Sequence, residues 1–164
     1  MEREIVDIYT DGSAEKAGTK RLGCGSYCHY NDEDYSMSIS CTREVLSKYG
    51  IPLSQPCSNP TSEFVAFVET LRILKCTSKN FHLKFWIDYN GVGKWTSGEW
   101  KAKEPHIKLI LEEYNKIKKT MKCEVSIHWV KGHSGEHGNV MADALAGSYT
   151  TDTEEFEVLA ELLQ

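Results

Sequence analysis

Ile5-Val6-Asp7-Ile8-Tyr9-Thr10-Asp11-Gly12-Ser13 is the stretch on which the reading of this chain turns. Its β-branched and aromatic residues predict a strand over residues 4–11. Gly12-Ser13 is a turn signal that ends the strand and leaves the Asp11 carboxylate at its edge. A second run, Leu83-Lys84-Phe85-Trp86-Ile87, predicts a strand over 82–88 that ends in the same way, on Asp88. Two neighbouring strands ending in carboxylates place hard oxygen ligands side by side. Glu63 and Asp143, each early in a helix-like stretch, can supply the rest. Magnesium binds through one or two carboxylates, waters and substrate phosphate oxygens, so these four acids point to phosphate chemistry assisted by a divalent ion.

On either side of these runs the pattern gives the order strand, strand, strand, helix, strand, helix, strand, helix. Strands are predicted over 22–30 and 35–41, with Asn31-Asp32-Glu33-Asp34 as the hairpin turn, and the short connections make them antiparallel. Residues 42–60 interrupt the pattern and end in Asn59-Pro60, a cap and first-turn proline for a helix carrying Phe64, Phe67, Val68, Leu71 and Leu74. The strand over 82–88 follows a helix, so a crossover can pair it in parallel with its neighbour. Pro105 opens a second helix with Ile107, Ile110, Leu111, Tyr114 and Ile117. In the fifth strand Cys123, Val125, Ile127 and Trp129 alternate with Glu124, Ser126 and His128. The expected fold class is α/β, a five-stranded mixed sheet flanked by helices, in one domain over 1–149 with an insertion at 42–60. Residues 150–164 carry Phe156, Leu159, Leu162 and Leu163 at helical spacing and predict an amphipathic helix packed on that domain.

At 164 residues the chain can bury roughly two-thirds of its unfolded surface in one core. Its apolar runs stay well short of the ~18 residues that span a bilayer, which predicts an intracellular, non-secreted protein with no membrane partner. Six cysteines without a Cys-x-x-Cys pair read as reduced, mostly buried thiols. The net charge of −5 has the wrong sign for approaching a phosphate backbone. Part of it lies in the four acids, and part in Asp152, Glu154, Glu155, Glu157 and Glu161. Lys94, Lys101, Lys103, Lys108, Lys116, Lys118, Lys119 and Lys122 cluster in one region and can form a local basic face. For the last four, a solvated helix surface is an equal reading.

The order Thr10-Asp11-Gly12-Ser13, Ser62-Glu63, Asp88, Trp129-Val130-Lys131-Gly132-His133-Ser134-Gly135, Gly138-Asn139 and Met141-Ala142-Asp143-Ala144-Leu145-Ala146 resembles type 1 ribonuclease H. The resemblance implies the ribonuclease H fold, order βββαβαβα, and hydrolysis of the RNA strand of RNA–DNA hybrids, leaving 3′-hydroxyl and 5′-phosphate ends. It implies two Mg2+ ions, with Mn2+ as the substitute, held by Asp11 as bridging ligand, Glu63, Asp88 and Asp143. It makes His133 a mobile proton carrier, a role that an imidazole titrating near neutrality suits. A solvent-exposed loop histidine is the structural alternative. For substrate contacts it points to Gly12, Ser13, Asn59, Ser62, Asn90 and Asn139, and to Trp95 or Trp100 under a deoxyribose, with core packing as the alternative for both rings. The 2′-hydroxyl is what distinguishes RNA from DNA at such contacts. Nothing in the sequence demands more than a monomer.

Departures from the family pattern carry their own expectations. Glu15-Lys16-Ala17-Gly18-Thr19-Lys20-Arg21 stands where many members have a glycine-proline-rich turn, and Pro60 removes a backbone donor that could reach substrate. The stretch from Asp88 to the Lys-Gly-His loop is short, so the basic protruding loop of bacterial-type members is trimmed or missing. Weaker hybrid binding follows. Two other classes stay open at this point: another nuclease of the same fold, and a non-catalytic hybrid-binding or scaffold protein.

Overall fold

The computed structural model describes residues 2–14, 22–41, 43–51, 58–131 and 135–164. Three strands come first, β1 (Glu4–Ala14), β2 (Leu22–Tyr30) and β3 (Glu33–Cys41), followed by α1 (Arg43–Lys48) and α2 (Asn59–Leu74). Next are β4 (Phe81–Ile87), α3 (Gly91–Ser97), α4 (Pro105–Thr120), β5 (Glu124–Trp129), α5 (His137–Ala146) and α6 (Glu154–Leu162). The sheet runs β3-β2-β1-β4-β5, antiparallel across the first three strands and parallel between β1 and β4 and between β4 and β5. This is the mixed five-stranded sheet the sequence predicts.

Strict alternation explains how the sheet is covered. Val6, Ile8 and Thr10 of β1 and Phe81, Leu83, Phe85 and Ile87 of β4 are buried on one face. Against that face lies α2, buried along most of its length from Thr61 to Leu74. Phe67 of α2 meets Phe85 edge to face at 4.9 Å and Tyr114 of α4 at 5.6 Å, so helices and sheet share one aromatic core. On the other face α5 lies across β1 and β2. Gly25 permits this, because a Cβ there would collide with the Ala142 carbonyl and the Ala146 amide of α5.

Several local predictions change. The hairpin turn is two residues and not four: Asn31 and Asp32 both take positive φ (50° and 61°), the conformation of a tight turn matched to strand twist, so β3 already begins at Glu33. Strand β1 does not stop at Asp11 but continues to Ala14, paired with β2 as far as Leu22. Asn59 is the first helical residue and not the cap. That role belongs to Ser58, whose Oγ accepts from the Thr61 amide at 3.3 Å. The interruption at 42–60 contains α1, and α3 follows β4; neither is in the predicted order. The turn 15–21 and residues 52–57 lie outside the described residues.

Phe156, Leu159 and Leu163 are fully buried where α6 meets β3 and α2, and Asp152 bridges to Ser38 of β3 through two backbone hydrogen bonds of 3.0 and 2.8 Å. Cys24, Cys28, Cys41, Cys76 and Cys123 are buried free thiols. The Cys24 and Cys41 sulfurs lie 3.6 Å apart, contact distance and not the ~2.05 Å of a disulfide. Among the described residues no helix is long and apolar enough to cross a membrane.

Candidate active site

The carboxylate site forms where the β1–β4 ladder opens. Pairing between the two strands ends at Tyr9–Trp86, β4 ends at Ile87, and Asp11 and Asp88 each stand two residues beyond those last partners on adjacent strands. Helix α2 brings Glu63 against them. Gly12 makes this approach possible: a Cβ at that position would overlap the Ser62 carbonyl group. The glycine next to Asp11 therefore marks close contact between backbones inside a strand, not the turn its sequence suggests. Its amide donates to Asp11 Oδ1 at 3.0 Å and to Glu63 Oε1 at 3.2 Å, fixing both carboxylates from one point.

The result is three carboxylate oxygens, from Asp11, Glu63 and Asp88, all within 4.8 Å of one another. Asp11 is 3 % exposed and Glu63 6 %. Burial raises the Asp11 carboxyl, and the charges of Asp88 and Asp143 add to the rise, so that it titrates at about 7 although its contact with Glu63 works the other way. Burial also pushes Glu63 well up, with Asp11 and Asp88 adding repulsion. Glu63 Oε2 is buried with no hydrogen-bond partner among the described residues. Clustered buried carboxylates with an orphaned oxygen are costly as apo groups and are the donor set that a hard divalent cation requires.

Asp143 stands in the second half of α5, and not early in its helix. Its carboxyl adjoins Asp11, although its side chain is exposed and it is outside the set of three. His133 lies outside the described residues, as do Gly132 and Ser134. The Ser62 hydroxyl donates to the Asn59 carbonyl at 2.7 Å within α2, and the Ser13 hydroxyl is shared with the Tyr149 phenol at 2.6 Å. Asn59 and Asn90 are exposed. Asn139 is buried, with its Oδ1 unpartnered among the described residues. Trp95 stacks on Phe64, ring centroids 5.4 Å apart, and meets Trp100 edge-on at 6.2 Å, so one face of its ring belongs to the core.

Tyr89, which sequence reasoning passed over, joins two hollows beside the carboxylates. One of about 410 Å³ runs past Asn90, Lys94, His128 and Trp129. The other, about 360 Å³, is lined by Thr61, Trp95, Lys101 and Lys103. The signal for Tyr89 was its position directly after Asp88, at the end of β4. The two lysines give that side of the site the positive charge that the whole chain lacks.

A family model for RNase H matches residues 3–150. The chain belongs to the ribonuclease H family. It is similar to the ribonuclease H of Parvibaculum lavamentivorans, 32% identical over 154 residues, covering 87% of this chain and 90% of the relative. Its fold is that of the N-terminal RNase H domain of a Mycobacterium tuberculosis protein, with a TM-score of 0.64 at 18% identity over 91% of this chain and all of that one. LC11-RNase H1, solved in complex with an RNA/DNA hybrid, superposes with a TM-score of 0.61 at 16% identity, covering 87% and 97% of the two chains. This chain is therefore a ribonuclease H enzyme, a nuclease of the hydrolase class.

Proposed function

We propose that the chain hydrolyses the RNA strand of RNA–DNA hybrids by two-metal-ion catalysis, leaving 3′-hydroxyl and 5′-phosphate ends. The observation that carries this reading is the convergence of Asp11, Glu63 and Asp88 within 4.8 Å around a buried Glu63 oxygen that has no hydrogen-bond partner among the described residues. Asp11, Glu63, Asp88 and Asp143 would hold two Mg2+ ions, or Mn2+ in their place. Bound there, the ions supply an activated water and charge neutralisation at the leaving oxygen.

The chain's own residues do the positioning. The Gly12 amide holds Asp11 and Glu63 in one geometry, so neither carboxylate must be ordered when substrate arrives. Asp143, exposed beside Asp11, is placed to reach an ion or water on the substrate side. His133 carries protons between the leaving group and solvent. Lys101 and Lys103, with Tyr89 and Trp95, offer phosphate attraction and ring surface to the backbone of the hybrid. That basic surface is small, and weak hybrid binding is expected from it. A monomer suffices for all of these contacts, and the protein works inside the cell.

The test is cleavage of one end-labelled strand presented as RNA–DNA hybrid, duplex RNA, duplex DNA and single strand, with Mg2+ and with chelator, by the native protein and Asp88→Asn. Metal-dependent cutting confined to the RNA of the hybrid, and lost in the variant, is the expected result. A folded protein that leaves the hybrid intact under every metal condition would sink the reading, and retained hybrid binding would then favour a scaffold.

A further inference from the structure

The sheet face opposite the α2 core carries a feature that hydrolysis does not use. Register places Tyr27, Tyr9, Trp86 and His128 in one rank across β2, β1, β4 and β5. With strands about 4.8 Å apart, the rank spans about 14 Å. Tyr9 and Trp86 lie nearly parallel with centroids 6.2 Å apart, Trp86 and His128 are 4.9 Å apart, and His137 closes on Tyr27 edge-on at 5.4 Å. Helix α5 covers the β2 end of the rank, while Tyr9, Trp86 and His128 keep solvent access.

Carboxylates surround these rings and orient them. The Trp86 indole donates to Asp7 at 2.8 Å, the Tyr9 phenol to Glu136 at 2.9 Å, and the Tyr27 phenol to Asp34 at 2.7 Å. Asp7, Asp34 and Glu136 also line a hollow of about 520 Å³ with Tyr9, Tyr27 and His29. Among the described residues lining that hollow there is no lysine or arginine; the cationic candidates are His29, whose Nδ1 lies 2.7 Å from Asp34, and His137. Lys84, 5.8 Å from the Trp86 ring, already demonstrates the cation–π geometry these rings accept.

We infer that this face is a docking surface for a basic peptide segment of another protein, whose arginine or lysine side chains enter the Tyr9–Tyr27 hollow and lie along the Trp86 rank. Charge decides the partner. Stacked rings on a sheet could equally hold nucleobases, but three carboxylates at the hollow repel a phosphate backbone and attract guanidinium or ammonium groups. None of these rings belongs to the carboxylate cluster, but Tyr9 and Trp86 stand two residues before Asp11 and Asp88 on their strands, so a docked segment would lie beside the cleavage site.

The experiment is fluorescence anisotropy of a labelled nonapeptide of alternating arginine and glycine, titrated with the full chain in Mg2+. Saturable binding is expected, weakened by about tenfold or more in the isosteric double variant Asp7→Asn/Asp34→Asn and in Trp86→Ala, and unchanged in Trp100→Phe. Hybrid cleavage by the Asn double variant should match the native protein, which shows that it is folded. Equal peptide affinity for the native and Asn double variants would overturn the proposal, as would binding abolished by Asp88→Asn alone. A labelled single-stranded oligothymidylate serves as the second arm. Its binding to the native chain and loss in Trp86→Ala would assign the face to nucleic acid and also overturn it.

Discussion

Helix α2 carries two buried glutamates six positions apart, Glu63 and Glu69, 6 % and 8 % exposed, and the chain treats them oppositely. Glu69 is neutralised from within. Arg72 Nε reaches it at 3.1 Å, Lys48 Nζ lies at 3.9 Å, and the Tyr49 phenol donates to it. Arg72 extends the network to Glu113 of α4 at 2.8 Å, tying α1, α2 and α4 together. Glu63, by contrast, faces Asp11 and Asp88, and one of its oxygens has no hydrogen-bond partner among the described residues. Two acids of similar burial on one helix thus differ in where the compensating charge comes from. For Glu69 the protein encodes the cation; for Glu63 the proposed function assigns that place to an ion from solution.

The most damaging way to probe this contrast is Glu63→Gln. Hybrid cleavage should fall by more than the about 10–100-fold that losing an outer partner of a metal ligand costs, while the metal-free protein melts at a higher temperature because a buried repulsion has gone. Steady-state cleavage and a thermal melt in chelator read the two effects. Arg72→Met should produce the reverse pattern. Two carboxylates lose their cation, at about 2–3 kcal/mol, below the value for a fully buried pair because Arg72 keeps some solvent contact. Urea unfolding would show that loss, with cleavage by the folded protein retained.

A pH series sharpens the contrast. Asp11 titrates at about 7 when folded, against about 3.9 when unfolded, so the folded state binds the extra proton between those values. Its contribution to stability is complete below about pH 4 and is lost as pH rises to about 7. In chelator, Asp11→Asn should therefore match the native melting temperature in acid and exceed it by roughly 10 °C above neutrality. A difference that shrinks with rising pH would refute the assignment. The smallest effect belongs to Tyr49→Phe. Burial and the Glu69 charge push that phenol well up and keep it a donor, and its loss should cost about 1 kcal/mol in urea unfolding without changing cleavage.

Alternation and helical spacing made the sheet and the two long helices readable, because β1, β4, α2 and α4 bury long periodic faces. What escaped was set by packing between distant segments. The second role of Gly12 depends on the Ser62 backbone, fifty residues away in sequence. Short α1 and α3 have too few residues to announce themselves, since helices of one or two turns exist only by tertiary contact. The sequence places the cap on Asn59 and the structure on Ser58, because both residue types cap well and only the Thr61 amide decides between them. At the site, residue type and chain order singled out the acids. Which of them are buried, and which lack a cation, appears only when Glu63 and Glu69 are seen side by side with their neighbours.

The most direct measurement is the melting temperature, above neutrality, of the native protein, Glu63→Gln and Glu69→Gln, each in chelator and in excess Mg2+. An ion that binds only the folded state must raise it. The native chain and Glu69→Gln should both be stabilised by Mg2+, and Glu63→Gln should scarcely respond. Equal stabilisation of Glu63→Gln, or a response abolished by Glu69→Gln, would contradict the claim that the charge missing at Glu63 is supplied by a metal ion.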